Sequence, residues 1–172
     1  SRPDYGWLSE ETEDNTRRLG KERVFIIDPI DGTRSFMEGS KAWSHSIAVA
    51  EHGVITAAVV FLPIMDKLYA AALGRGATVL AAKPAFDAQH WKTGQAPSFK
   101  RSYRPSLAYR LALVAEGRFG AMLTLRHSWE WDIAAGALIS SEAGGCALDR
   151  TGAPLLFNNA DPRLNGVVAG GA

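Results

Sequence analysis

The amino-acid sequence predicts a mixed α/β domain with a largely antiparallel sheet and its clearest helix late in the chain. Three observations carry that expectation. Arg23-Val24-Phe25-Ile26-Ile27 is a β-branched run that meets Asp28-Pro29, which reads as a buried strand stopping in a turn. Ser44 to Ala50 alternates weakly and Val54 to Leu62 is a longer apolar run; Gly53 lies between them, so the pair reads as a hairpin. Trp131 to Ala143 is alanine-rich with helical spacing and ends at Gly144-Gly145, a helix C-cap signal.

The other elements fill in around these. Residues 1–22 are polar, with acids at Glu10, Glu11, Glu13 and Asp14. Pro63 ends the second hairpin strand, and Lys67 to Leu73 supplies a third. Lys83 to Arg104 has no clear period, holds Pro84, Gly94 and Pro97, and reads as loop with at most a short helix. Ser106 reads as an N-cap, because Leu107, Leu111, Val114 and Ala115 share one helical face and Gly117 supplies the stop. Phe119 to Leu125, Cys146 to Leu148 and Gly166 to Ala169 are the last strands expected.

A chain of 172 residues and 18.5 kDa fits one domain. Hydrophobic residues at 47% and charged residues at 22% exclude a disordered chain. Lys+Arg at 19 against Asp+Glu at 18 leaves +1, so no bulk field draws the protein onto a nucleic acid polymer or an anionic membrane. The longest apolar stretch, Gly53 to Ile64, is far short of the ~20 residues of a membrane span. The polar, acidic start lacks the pattern of a signal peptide, and the single cysteine, Cys146, cannot form an internal disulfide. The expectation is a cytoplasmic domain with Cys146 as a small core residue. His45, His52, His90 and His127 have no ligand-like spacing, which argues against zinc.

The chemistry concentrates in Asp28-Pro29-Ile30-Asp31-Gly32-Thr33-Arg34-Ser35-Phe36. Two carboxylates three residues apart converge on one point if the chain turns between them. Pro29 restricts that turn, and Gly32 allows backbone to come close to a ligand. Carboxylates with a backbone carbonyl make a hard oxygen site suited to Mg²⁺ rather than Zn²⁺. The Gly32 and Thr33 amides would then be available to an anion. The plain alternative is an ordinary turn, since Asp-Pro and Asp-Gly are favoured turn pairs. Asp132, near the start of the predicted helix, has its own plain reading as an acid facing a helix dipole, worth about 0.3–1 kcal/mol. For Glu10 and Glu11 the plain reading is a solvated loop.

Taken in order, however, Gly6-Trp7-Leu8-Ser9-Glu10-Glu11-Thr12, the Asp28 to Phe36 stretch and Glu130-Trp131-Asp132-Ile133-Ala134-Ala135-Gly136 resemble the inositol monophosphatase superfamily of Mg²⁺-dependent, lithium-sensitive phosphatases. Asp-Pro-x-Asp-Gly-Thr-x-x-Phe is similar to its first signature and Trp-Asp-x-Ala-Ala-Gly to its second. The resemblance implies a layered α-β-α-β-α sandwich. It makes Glu10, Asp28 and Asp31 carboxylate metal ligands, has Ile30 ligate through its carbonyl, and gives Asp132 the second metal position. It also implies that Glu10 and the Thr33 hydroxyl orient the attacking water, while Asp31, Gly32, Thr33 and Asp132 meet the substrate. Two or three Mg²⁺ per site, inhibition by Li⁺, a small phosphorylated substrate and a homodimer come with the resemblance. The His residues and Cys146 receive no role, and Trp129 and Trp131 are expected to pack beside the metal-binding helix.

The chain departs from the family pattern in two places. Only nine residues precede Glu10, where the family has two long helices and an aspartate that partners the threonine hydroxyl. The join Gly74 to Leu80 is short. The expectation is a single phosphatase domain over 1–172 without those helices and without a short internal loop. For the substrate, inositol-specific members place a glutamate seven residues before the second-signature aspartate, and Leu125 stands there. Leu113-Val114-Ala115-Glu116-Gly117 resembles the 3′(2′),5′-bisphosphate nucleotidase branch. Lys83, Lys100, Arg101 and Arg104 would serve a second phosphate, with Lys92, Phe99 and Tyr103 in the same stretch; the alternative for these cations is a solvated surface. Inositol monophosphate is the runner-up substrate. A non-catalytic regulatory or binding module would show a missing ligand, and Glu10, Asp28, Asp31 and Asp132 are all present.

Overall fold

A computed structural model describes residues 2–80 and 102–170. The larger sheet has six strands in chain order: β1 (Gly6–Ser9), β2 (Arg23–Asp31), β3 (Ser44–Glu51), β4 (Val54–Leu62), β5 (Lys67–Ala72) and β6 (Ala77–Leu80). Only β1 runs parallel to its neighbour; every later pair is antiparallel. The expected hairpin closes at His52-Gly53, both in the left-handed region, which suits a tight turn between twisted strands. The short join after β5 is itself a hairpin. Gly74 and Gly76 have positive φ, and Glu142 accepts both of their N–H groups at 2.8 and 2.7 Å.

Two helices pack on one face of this sheet: α2 (Leu107–Ala115) and α3 (Glu130–Glu142), while a short α1 (Thr33–Met37) follows β2. Ser106 caps α2 as expected, its hydroxyl accepting the Tyr109 N–H at 2.9 Å. The helix closes where Gly117 turns left-handed and Arg118 N–H reaches back to the Leu113 carbonyl. Gly144 ends α3 in the same manner, with Gly145 N–H donating to the Ser140 carbonyl. On the far side of the helices lies a three-stranded sheet of β7 (Ala121–Thr124), β11 (Val167–Gly170) and β9 (Cys146–Leu148), ordered β7-β11-β9. A small pair, β8 (Ser128–Trp129) with β10 (Arg163–Leu164), leads into α3.

The described residues thus supply the inner β-α-β layers of the expected sandwich. Val24, Ile26, Ala48, Ala50, Val60 and Tyr69 point from the large sheet into the core with Leu111, Ile133 and Ile139 from the helices. Alternate residues Phe25, Ile27, Ile47 and Val49 fall on the other face, where they are half-buried or exposed. Two expectations need correction. The β2 strand does not stop at Asp28-Pro29 but runs on to Asp31. Cys146 is exposed, because its strand is an edge of the small sheet rather than core.

The helices approach most closely at Gly136, where a Cβ would sit 2.5 Å from the Leu111 Cβ. Gly136→Ala is therefore expected to destabilise the protein by about 1–3 kcal/mol through overpacking. Thermal unfolding followed by circular dichroism reads this as a lower Tm; an unchanged Tm would contradict the close crossing.

Candidate active site

Asp28 and Asp31 lie three residues apart on one strand, and in a regular strand such residues face opposite ways. The structure resolves this with a bulge. Asp28 pairs with Ser46 and Asp31 with Ser44, so three steps along β2 match two along β3. One extra residue restores parity, and both aspartates turn into the buried face. Proline suits this place because it has no N–H to lose from the ladder. Ile30 N–H donates to Asp28 Oδ1 at 2.9 Å, and the His45 ring donates Nδ1–H to the freed Pro29 carbonyl. Thr33 donates its hydroxyl to the Ile30 carbonyl at 3.2 Å. Between them Gly32 has φ +94, and a Cβ there would meet Ser106 N and the Ala42 carbonyl at 3.3 Å, so glycine is required by both conformation and space.

Asp31 also serves the N-terminus of α2. It accepts Ser106 Oγ–H at 2.6 Å and the N–H groups of Leu107 and Ala108 at 3.2 and 2.7 Å. The carboxylate thereby locks the bulge against the helix and keeps lone pairs free. Asp132 arrives in the first turn of α3, whose start is tied to β3 by Ser46 Oγ–H donating to the Trp131 carbonyl at 3.0 Å. Ligand-capable oxygens of Asp28, Asp31 and Asp132 all lie within 4.8 Å of one another.

Such an arrangement of acids is costly without a counter-charge. Burial first, and then Asp31, Glu10 and Asp132, push the Asp28 carboxyl far above the usual carboxylate range. Asp132 is raised for the same reasons, with burial again the leading cause and Asp31 and Glu10 next. Asp31, raised by burial but eased by its bonds to Ser106, Ala108 and Leu107, stands at about 6. A divalent cation among the three oxygens would turn this repulsion into attraction. The donor set is all oxygen and fits Mg²⁺.

Glu10 lies just beyond β1, its N–H donating to the Ile27 carbonyl at 3.3 Å. It is exposed and outside the three-carboxylate group, yet close enough for its charge to act on Asp28 and Asp132. Trp129 and Trp131 stack at 4.7 Å, Trp131 buried and Trp129 partly exposed beside α3.

Of the cations expected for a second phosphate, Lys83, Lys100 and Arg101 lie outside the described residues, as do Lys92 and Phe99. Arg104 donates to Ser102 Oγ and the Tyr103 carbonyl. A cation missed by the sequence reading stands within the field of the acids. Half-buried Arg110 on α2 lies in the fields of Asp31, Asp132 and Arg126, and its guanidinium carbon is 5.8 Å from the Tyr103 ring centre. The helical spacing of α2 was legible only on its apolar face, which is why Arg110 gave no signal. Leu125 is exposed and offers no acceptor to a sugar ring.

A second group of metal-capable side chains, Glu22, Glu51 and His52, lies at the β3–β4 turn. There Arg23 already pairs with Glu22 at 2.9 Å and Glu51 at 2.7 Å. No described helix is long and apolar enough to cross a membrane.

Comparison with known proteins accords with this geometry. A sequence model described as the inositol monophosphatase family matches residues 1–106 and 86–170. An inositol-1-monophosphatase of Rhizobium meliloti is 36% identical over 184 residues, covering 88% of this chain and 66% of the relative. A 3′-phosphoadenosine 5′-phosphate phosphatase of Mycobacterium leprae is 32% identical over 184 residues, covering 95% of this chain and 68% of the relative. The chain therefore spans about two thirds of the length of these relatives. Among solved structures, SaIMPase-II with bound inositol monophosphate superposes with a TM-score of 0.80 at 27% identity, covering 98% of this chain and 72% of that one. The same protein has also been solved with 2′AMP, with a TM-score of 0.78.

Proposed function

Because the chain belongs to the inositol monophosphatase family, we propose that it hydrolyses a small phosphomonoester with Mg²⁺, and that its preferred substrate is a 3′(2′),5′-bisphosphate nucleotide. The convergence of Asp28, Asp31 and Asp132 supports the chemistry. Mg²⁺ held by these carboxylates, Glu10 and the Ile30 carbonyl would supply Lewis-acid charge to the phosphate and lower the pKa of water. Glu10, at the exposed rim, and the Thr33 hydroxyl would orient the attacking water, and Glu10 would take its proton. Gly32 and Thr33 amides would hold phosphate oxygens. The water oxygen–phosphorus bond forms as the phosphorus–ester oxygen bond breaks, the leaving alkoxide takes a proton from a second water, Glu10 returns its proton to solvent, and no phosphoenzyme forms.

Arg110 supports the nucleotide reading. A bisphosphate brings a second anion and a base, which want a cation and an aromatic face; Arg110 with Tyr103 offers both beside the acids. An inositol ring wants an acceptor that Leu125 lacks. The relatives named above act on both kinds of substrate by name, so inositol monophosphate remains the runner-up. A non-catalytic module is disfavoured because the full carboxylate set is present.

Adenosine 3′,5′-bisphosphate is expected to show a kcat/KM about tenfold or more above that of inositol 1-phosphate, about 1.4 kcal/mol of transition-state preference. Arg110→Met is expected to erase most of that margin by raising KM for the bisphosphate. A tenfold preference for inositol 1-phosphate sinks the nucleotide reading and leaves the phosphatase reading intact. Inhibition by Li⁺ and a cytoplasmic homodimer belong to the same proposal, and sedimentation of the intact protein at micromolar concentration tests the dimer.

A further inference from the structure

Outside the acidic site, Glu130 and Arg18 are the most deeply buried charged side chains among the described residues, at 0% and 1% exposure. They are joined through two asparagines. Arg18 donates from Nε and Nη2 to the two Asp14 oxygens at 2.7 and 2.8 Å, from Nη1 to Asn158 Oδ1 at 2.7 Å, and from Nη2 to the Asn159 carbonyl at 2.8 Å. Asn158 N–H donates to Glu130 Oε2 at 2.7 Å. Asn159 donates its N–H and Nδ2–H to Glu130 Oε1 at 2.9 and 2.7 Å. Asn158 has φ +61, a left-handed turn that lets two successive N–H groups face one carboxylate.

Both ends of this chain of bonds lead to the site. The stem of Arg18 lies directly against β1: a Cβ at Gly6 would sit 3.0 Å from the Arg18 Cβ. Among the described residues that strand is the sheet edge, bonded only to β2, and Glu10 follows its last residue. Glu130 opens α3 two residues before Asp132. A continuous path of contacts therefore runs from β1 through Arg18, Asn158, Asn159 and Glu130 into the helix that carries Asp132. Buried ionic groups of this kind are poor sources of stability, since desolvation offsets their attraction. What they provide is fixed geometry.

We propose that Arg18 is a positioning residue that fixes the separation between the Glu10 and Asp132 carboxylates, and through it the affinity for a divalent cation. The inference rests on the metal-hydrolase reading given under Proposed function. It requires that Arg18 act through Glu10, and a double-mutant cycle isolates that requirement. Mg²⁺ binding to the intact protein is measured by titration calorimetry. Arg18→Lys keeps the charge but loses the planar fork, and is expected to weaken Mg²⁺ binding by about tenfold or more, as outer-shell changes do. In a Glu10→Gln background the same substitution is expected to cost less than about twofold, because the carboxylate whose distance from Asp132 it sets is gone. Should Arg18→Lys fail to fold by circular dichroism, Asp14→Asn, at the solvent-facing end of the network, takes its place in the cycle. Mg²⁺ binding that Asp28→Asn abolishes but Arg18→Lys leaves unaltered overturns the role of Arg18 alone. Equal loss with and without Glu10 also overturns it, since a general defect in folding does not depend on that carboxylate. An intact protein with no Mg²⁺ binding, or with binding indifferent to Asp28→Asn, overturns the metal reading itself.

Discussion

Asp28→Asn is expected to lower phosphate-ester hydrolysis by about a thousandfold or more, about 4 kcal/mol of lost transition-state stabilisation, because a metal's Lewis-acid charge is worth several kcal/mol there. The substitution keeps the shape of the side chain and the oxygen that accepts from Ile30 N–H. What it removes is a negative charge that burial and the acids Asp31, Glu10 and Asp132 already disfavour. The same variant should therefore have a higher Tm than the native chain when both are stripped of metal. Opposite signs for activity and metal-free stability are the signature of a ligand as opposed to a structural residue. Wild-type turnover in Mg²⁺ with Asp28→Asn would falsify the site.

Mg²⁺ affinity should rise by about a hundredfold between about pH 6 and pH 8 if one proton is displaced per bound ion, since each unit then contributes about tenfold. The sign follows from the direction of the shifts. In the unfolded chain these aspartates titrate near 4. In the folded chain Asp31 stands at about 6 and Asp28 and Asp132 are also held high, with burial the first cause for all three. The folded metal-free state thus retains protons that the unfolded state has released. Its stability is fullest below about pH 4 as far as these groups are concerned, and falls as pH rises through about 6 and beyond. Mg²⁺ replaces those protons, so the stabilisation it gives grows with pH. Calorimetry at both pH values in two buffers of different protonation heat measures the affinity and the protons released. An affinity flat across that range would mean that the three carboxylates are already ionised without metal.

Local elements were legible because their signals are local. Ser106 and Gly117 bracket α2, Gly144 ends α3, and Gly53 sits at the β3–β4 turn, each for reasons of backbone geometry that neighbouring residues suffice to state. The acidic site was legible only in part. The sequence shows Asp28 and Asp31 as a pair, but strand alternation places them on opposite faces until the pairing with β3 reveals the bulge. Asp132, 104 positions beyond Asp28, joins them by tertiary packing, and only the family resemblance pointed to it. Ser106 was recognised as a cap, whereas its bond to Asp31 needed the fold. Nothing in the sequence signals the burial of Arg18 and Glu130, which is a property of the contacts between distant segments. Cys146 failed in the opposite sense: a small apolar residue in a short strand says nothing about whether that strand is an edge.

The bulge at Pro29-Ile30 makes the site tolerant of substitution but intolerant of shortening. Pro29 presents a carbonyl to His45, and Ile30 presents its N–H to Asp28 and its carbonyl to Thr33, all of them main-chain groups that other side chains would leave in place. Losing either residue returns β2 to strict alternation: the two aspartates, then two apart, still share a face, but the main-chain groups that meet His45, Asp28 and Thr33 are no longer all supplied. Divergence along this segment is therefore open to point replacement between the two aspartates and closed to deletion of a residue there, a constraint set by the count of peptide units rather than by the chemistry of the residues that fill them.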